Sequence, residues 1–391
     1  MTNRLYCSRL PAAVMLAALV LLAIDDVAAQ DDSRPLVEGG ITDKPFITGA
    51  SRVGIGGYTE AHWRWEQVDG FTDELGFEMK RFNLFAYSPV SERVRVAGEL
   101  EFEEGGEEIK VEAALVDFEI SPALTFRGGI ILSPLGRFNL AHDSPANDLT
   151  DRPLVSTQII GVALSEAGMG FYGAFYPTEE ARVTYEVYGV NGFHDGVIGG
   201  DGKGVRIPAG RGNWEDNNTR PSWTGRVAVS PRPTWEIGAS LHTGPYNVYD
   251  VEGLEVDDKR NVTIVALDGD WSWRNFELLG EYATATVDVP ASNPLLIENQ
   301  AGFYAQTNAH FGRGWFPGLP NSVFSGIVRY GIVDFDADAD GDDLRRWTLG
   351  INFRPEEDTV FKLDWQRSIE RDSFESKVKF GALLFSVATY F

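Results

Sequence analysis

Cysteine is nearly missing from this chain: Cys7 is the only one. It lies in the N-terminal segment read below as a signal peptide, so the rest of the chain can form neither a disulfide framework nor a thiolate metal site. Cys7 also precedes the adjacent apolar run rather than following it, which argues against a lipid-modified N-terminus. Long apolar runs are equally scarce. Apart from Leu10 to Ile24, no stretch approaches the ~20 apolar residues of a membrane helix, so residence in a membrane would require a closed barrel. Basic residues are outnumbered, with 34 Lys and Arg against 58 Asp and Glu and a formal charge of −24. That balance excludes nucleic acid, whose phosphates need basic patches.

Arg4 and Arg9, the apolar run from Leu10 to Ile24, and Val27-Ala28-Ala29 make residues 1–29 read as a secretory signal peptide. Residues 30–52 follow as a short polar arm, expected to be periplasmic, and 53–391 read as one unit. This unit carries most of the 42 Gly, 10 Trp, 13 Tyr and 24 Phe, and mean hydropathy is slightly negative. Such a balance suits strands whose two faces differ.

Alternation is clearest at 92–103, where Arg93, Arg95, Ala97, Glu99, Glu101 and Glu103 share one face and Val94, Val96, Gly98, Leu100 and Phe102 the other. It recurs at 181–190 and 234–243. Segments of this kind predict strands at 53–66, 77–88, 92–103, 109–120, 124–132, 168–176, 181–190, 223–230, 234–243, 261–271, 274–286, 301–311, 322–335, 344–354, 358–369 and 378–391. The fold class is therefore all-β, an antiparallel transmembrane barrel of sixteen strands rather than a soluble sandwich.

Connection length supports this reading. Even connections are short and turn-like, such as 89–91, 121–123 and 231–233, while the odd ones at 133–167, 191–222, 244–260 and 287–300 are long. Outer-membrane barrels pair short periplasmic turns with long external loops in this way. One even connection, 312–321, is long for its side. Aromatic residues expected near strand ends, Trp63, Trp65, Tyr87, Trp235, Trp271, Trp273, Phe353, Phe361, Trp365, Tyr390 and Phe391, are candidates for interfacial girdles.

The last strand, 379–391, alternates up to a C-terminal Phe391. It resembles the C-terminal signature by which outer-membrane barrels are recognised for assembly, and so implies the barrel-assembly machinery as a partner. KRFNLFAYSPVSERVRVAGELEFEE, IKVEAALVDFEISPALTFRGGIILSPLGRFNLAHDSP and GMGFYG, between 80 and 173, resemble the porin superfamily that includes the phosphate-selective porins O and P. RRWTLGINFRPEEDTVFKLDWQ extends the likeness. The resemblance implies a sixteen-stranded, usually trimeric diffusion channel of the Gram-negative outer membrane, among lipid and lipopolysaccharide. Phosphate specificity is not implied, because the inward-facing charges are mixed: Arg81, Arg93, Arg95, Lys110, Arg127, Arg182, Arg226, Arg329, Arg346 and Lys362 face Glu99, Glu101, Glu103, Glu112, Glu186, Glu236, Glu277, Glu281 and Asp364. Arg81, Arg93, Arg95 and Arg127 on neighbouring strands remain a candidate local anion ladder.

Loop 133–167, with Arg137, His142, Asp143, Asp148, Asp151 and Arg152, is the candidate constriction. The alternative is an ordinary surface loop. Asp336, Asp338 and Asp340 open a D-x-D-x-D-G segment like a calcium loop, but Trp347 stands where that motif needs a bidentate Glu, so loose divalent bridging of an acidic loop competes with a specific Ca²⁺ site. No other cofactor is expected. The histidines, His62, His142, His194, His242 and His310, fall in no hydrolase signature, and no catalytic residue is assigned. An adhesive or structural barrel, or a barrel enzyme, is the alternative to a channel for small hydrophilic solutes.

Overall fold

The computed structural model describes residues 53–200, 204–293 and 296–391. The signal peptide 1–29 and the arm 30–52 lie outside the described residues. Strands β1 (Gly54–Val68), β2 (Phe71–Pro89), β3 (Val94–Glu103), β4 (Glu108–Ser121), β5 (Leu124–Leu132), β6 (Ser165–Phe175), β7 (Arg182–Val190), β8 (Ser222–Arg232) and β9 (Trp235–Pro245) form the first part of a barrel. A two-stranded excursion, β10 (Asp250–Val251) with β11 (Leu254–Glu255), stands apart. The wall resumes with β12 (Asn261–Trp273), β13 (Phe276–Val287), β14 (Asn299–Phe311), β15 (Val323–Asp334), β16 (Asp343–Glu356), β17 (Thr359–Arg371) and β18 (Lys377–Tyr390). Each pairs antiparallel with its chain neighbour, and β1 pairs with β18 to close sixteen strands with no open edge around the ring.

Alternation sets the faces. In β3, Ala97, Glu99 and Glu101 are buried inside while Val96 and Leu100 are exposed outside. Outward Val328, Leu349, Ile351, Leu363 and Phe385 repeat the pattern across β15 to β18. An apolar exterior around a charged interior inverts a soluble core, and it is what a bilayer as outer solvent requires.

Three expectations are corrected. The gap expected between the first two strands does not exist: both run on into the turn Asp69-Gly70, whose φ values of 48° and 89° suit a two-residue hairpin. The tip of β2 then pairs with β1 alone, since pairing to β3 starts at Arg81, and it leaves Phe71 and Phe77 79% and 89% exposed. Tyr87 and Tyr390 face the lumen and not the girdle, because each shares strand parity with buried inward residues, Asn83 and Phe85 in β2 and Leu384 and Ala388 in β18. The long loop ends at 164, where pairing of Ser165 with Leu132 begins β6.

Candidate functional site: the barrel lumen

Loop 133–164 leaves β5 and crosses the inside of the barrel. Asn139, fully buried, clips its two ends together: Nδ2 donates to Ser133 O at 2.7 Å and Leu164 O at 3.1 Å, and Oδ1 accepts from Leu164 N at 2.7 Å. From that neck the loop is tied to walls on several sides. Gly136 N donates to Ser240 Oγ of β9 at 2.9 Å, and Phe138 N to Glu281 Oε2 of β13 at 3.1 Å. Further along, Thr150 N donates to Asp364 of β17 at 2.6 Å, Lys362 Nζ to Ser144 O at 2.8 Å, and Asn308 Nδ2 of β14 to Asp148 at 2.7 Å. His142 Nε2 sits 2.7 Å from Glu112 Oε1 of β4, and Tyr390 donates to Asp143 at 3.0 Å.

The lumen is lopsided. Leu135, Leu154, Val155, Ile159 and Ile160 of this loop join Phe193, Val197, Val205 and Ile207 of the 191–221 connection. Together they pack on inward Val262, Ile264 and Ala266 of β12 and Ala283, Ala285 and Val287 of β13. Part of the interior is therefore an apolar core. Burial of this kind contributes roughly 25 cal/mol per Å², enough to hold two loops that have little regular structure of their own.

Charges gather on the opposite side, and also on β8, β9 and β12, where buried Arg226 bridges Glu236 and Asp268. Arg81 Nη1, Nε and Nη2 each lie 3.0 Å from Glu60, Glu101 and Glu103 respectively, and Lys110 donates to Glu103 at 2.8 Å. On the loop, Asp151 is held between Arg64 at 3.0 Å and Arg346 at 3.5 Å, and its backbone carbonyl accepts from Arg329 at 2.7 Å. Burial raises the Asp151 carboxyl, but the Arg64 and Arg346 guanidiniums outweigh it and bring it down to about 2. Arg152 beside it donates to Val162 O at 3.5 Å, while its buried Nε and Nη2 have no hydrogen-bond partner. Asp151, Arg152, Arg329, Arg346, Thr348 and Gln366 line a cavity of about 10 Å³, room for one water.

The structure thus brings together Arg81, Glu101, Asp151 and Arg152, with Glu99 bonded to Asn83 at 2.7 Å nearby. It separates others. Arg93 lies in the exposed turn before β3, Arg95 pairs with Glu119 at 3.3 Å, and Arg127 is locked to Asp117 at 2.8 Å under Tyr172. With Arg81, Arg95 and Arg127 each matched to carboxylates and Arg93 in an exposed turn, the four do not stack as a ladder of free charges. Arg137 turns toward Asp270 at 3.7 Å. The sequence reading missed Glu60, Arg64 and Glu66 on the inward face of β1, although with His62 they recur at every second residue.

In the acidic loop, Asp336 N bonds Asp334 Oδ1 at 3.2 Å, Asp338 N bonds Asp336 Oδ1 at 3.3 Å, and Asp338 accepts from Asn299 at 2.8 Å. These carboxylates stabilise local turns. Among the described residues, no group of three or more His, Cys, Asp or Glu is arranged to hold a metal ion.

The histidines pair with acids: His62 lies 2.7 Å from Glu60 and His242 2.9 Å from Glu166, and half-buried His194 is 3.4 Å from Asp195. His310 has hydrolase-like neighbours, with Ser325 Oγ at 2.7 Å and Glu277 at 3.3 Å. Ser325 is only 1% exposed, however, so an acyl group cannot reach its oxygen.

No protein-family model matches the chain. An uncharacterized protein of Aquifex aeolicus is 25% identical over 362 residues, covering 85% of this chain and 79% of that one. Among solved structures, the outer-membrane channel DcaP of Acinetobacter baumannii superposes with a TM-score of 0.57 at 13% identity, covering 87% of this chain and 97% of that one. An anion-selective porin from Comamonas acidovorans gives 0.57 at 11% identity, covering 87% and 99%. OprB of Pseudomonas putida gives 0.56 at 9%, covering 87% and 94%. The closed sixteen-stranded antiparallel barrel of this chain is the fold of the outer-membrane porins.

Proposed function

We propose that the mature chain is a porin of the Gram-negative outer membrane, exported by its N-terminal signal and passing small hydrophilic solutes by passive diffusion. One observation carries this reading: a barrel with an apolar exterior holds a loop across its interior, tied to β4, β9, β13, β14 and β17, with charged side chains along one side. Barrels of sixteen strands are too wide for wall side chains alone to fill, so a crossing loop decides how much of the lumen stays aqueous.

On this reading 133–164 is the constriction. The path runs off-centre, on the side of the charged faces of β1 to β4, because the β12–β13 side is filled with apolar side chains. Solutes then pass Arg64, Glu66, Arg81, Glu103, Lys110 and Arg346, a mixed set that favours polar solutes without an anion filter. Within the porin fold, the likeness of 80–173 favours the superfamily of the phosphate-selective porins O and P. That likeness, and the exposed apolar tip of β2, support a homotrimer.

Single-channel recording of the detergent-purified mature protein in a planar bilayer tests the function. Discrete conductance steps are expected, in threes for a trimer. Silence from protein whose barrel is shown folded by its strand signal in circular dichroism would sink the channel and favour a structural or adhesive barrel.

A further inference from the structure

The connection 312–322 is several times longer than the turns 274–275 and 357–358 on the same end of the barrel. Its course accounts for the length. Phe311 at the end of β14, Phe324 at the start of β15 and Phe353 of β16 lie on outward faces, opposite in parity to the inward His310, Ser325 and Asn352. Trp315 and Phe316 fold back onto these rings. Trp315 stands 6.0 Å from both Phe311 and Phe324, Phe316 is 5.8 Å from Phe353, and Phe324 is 4.7 Å from Phe353.

The connection keeps this shape through its own backbone. Trp315 N donates to Gly312 O at 3.1 Å, Leu319 N to Phe316 O at 2.9 Å, and Ser322 N to Leu319 O at 3.1 Å. Gly312, at φ 72°, supplies the left-handed residue that starts the reversal. Even so packed, Trp315 remains 65% and Phe316 45% exposed, with exposed Arg313 beside them. A structured turn that water alone surrounds has no reason to present an indole and a phenyl ring outward.

These rings continue the outward apolar band formed by Val328 of β15 and Leu349 and Ile351 of β16. Whatever solvates that band also reaches them. Tryptophan has an apolar body and one N–H donor, and it is most stable at the boundary between hydrocarbon and headgroups. Arginine lays its stem along apolar surface and puts its charge on phosphate.

We propose that 312–322 is an aromatic foot docked in the periplasmic leaflet of the phospholipid bilayer, with Trp315 and Phe316 at the headgroup boundary and Arg313 on a lipid phosphate. The proposal rests on the membrane-spanning reading above. It converts an over-long turn into an anchor that fixes the depth of β14 to β16.

The full mature chain and its Trp315→Phe variant would be reconstituted in phosphatidylcholine vesicles brominated near the carbonyl end of the acyl chains. The emission present only in the parent belongs to Trp315, and we expect it to be lost in brominated vesicles and untouched by aqueous iodide. Other tryptophans, among them outward Trp347 and Trp365, report barrel insertion in both proteins. Trp315 emission quenched by iodide and spared by bromine, with those residues quenched by bromine, would overturn the foot alone. Emission spared by both agents would show the site covered by protein, a second copy included, and would equally overturn it. If bromine quenches no tryptophan in either protein, the membrane reading falls and the foot falls with it.

Discussion

Gly57 and Phe391 exchange two backbone hydrogen bonds, Gly57 N to Phe391 O at 3.1 Å and Phe391 N to Gly57 O at 3.0 Å. The Phe391 ring occupies the space a side chain on Gly57 would take: a Cβ there would stand 2.6 Å from the ring and 2.2 Å from Asn83 O. The chain terminus is thus sewn into the closing seam between β1 and β18, its ring stacked on Phe82 at 5.6 Å.

Gly57→Val should therefore destabilise the barrel by roughly 1–3 kcal/mol through overpacking. Urea unfolding in detergent measures it. Adding Phe391→Ala should recover only part of the loss, because the Asn83 carbonyl still crowds the new Cβ. Full recovery would mean that the ring alone decides the fit.

Asn139 offers a test of the loop's rigidity. Asn139→Ala leaves the Leu164 N–H and the Ser133 and Leu164 carbonyls without that partner, at a cost of about 1–3 kcal/mol. The many wall contacts farther along keep the loop inside. The expected outcome is a folded barrel whose single-channel current is noisier than the parent's at the same mean conductance. Unaltered noise would show that the neck clip does not restrain the loop.

Much of this architecture was legible, and the residues show why. β5 was placed at 124–132 from its apolar alternation and the Ser121-Pro122-Ala123 break, and the structure has Leu124–Leu132. Period-two patterning is a local signal, so it survives in one sequence. Asp69-Gly70 was equally local, a favoured hairpin dipeptide, yet it was absorbed into an expected loop because the polar runs Glu66-Gln67 and Thr72-Asp73-Glu74 beside it do not alternate. The lumen was harder. Val262, Ile264 and Ala266 share β12 with outward Val265 and Leu267, so neither face looks polar. Which face meets lipid and which meets the crossing loop depends on packing between residues more than 100 positions apart in sequence, such as Ile159 and Val262. Charge pairing has the same limit: Arg64 and Asp151 are 87 residues apart, and nothing local foretells their bridge.

That bridge yields a prediction about selectivity. Asp151→Asn frees Arg64 and Arg346 of their shared counter-charge and should move the reversal potential under a KCl gradient toward anion preference. Arg64→Gln should move it the other way. Because the Asp151 carboxyl sits at about 2, below the ordinary carboxylate value, its stabilising charge is present above that ordinary value and is lost only as pH falls through about 2. Acidifying the parent from neutrality to about pH 4 should thus leave the Asp151 contribution intact. The difference in reversal potential between the parent and Asp151→Asn should persist over this range, and its disappearance would contradict the assignment.

Deletion within the loop discriminates between its two halves. Removing 140–150 takes away His142, Asp143, Ser144, Asp148 and Thr150, which bond β4, β14, β17 and β18. It spares the apolar segment from Leu154 to Ile160 that packs on β12 and β13. The wall groups left behind, Lys362 and Asp364 among them, are polar and can be rehydrated, so the barrel should remain folded. Conductance should rise, and rise less than on replacing all of 133–164 by a short turn, because the apolar half still blocks its side of the lumen. Equal conductance in the parent and the 140–150 deletion would place the narrowest point elsewhere. The 191–221 connection would then be the segment to shorten, since its Phe193, Val197, Val205 and Ile207 are the other half of that apolar core.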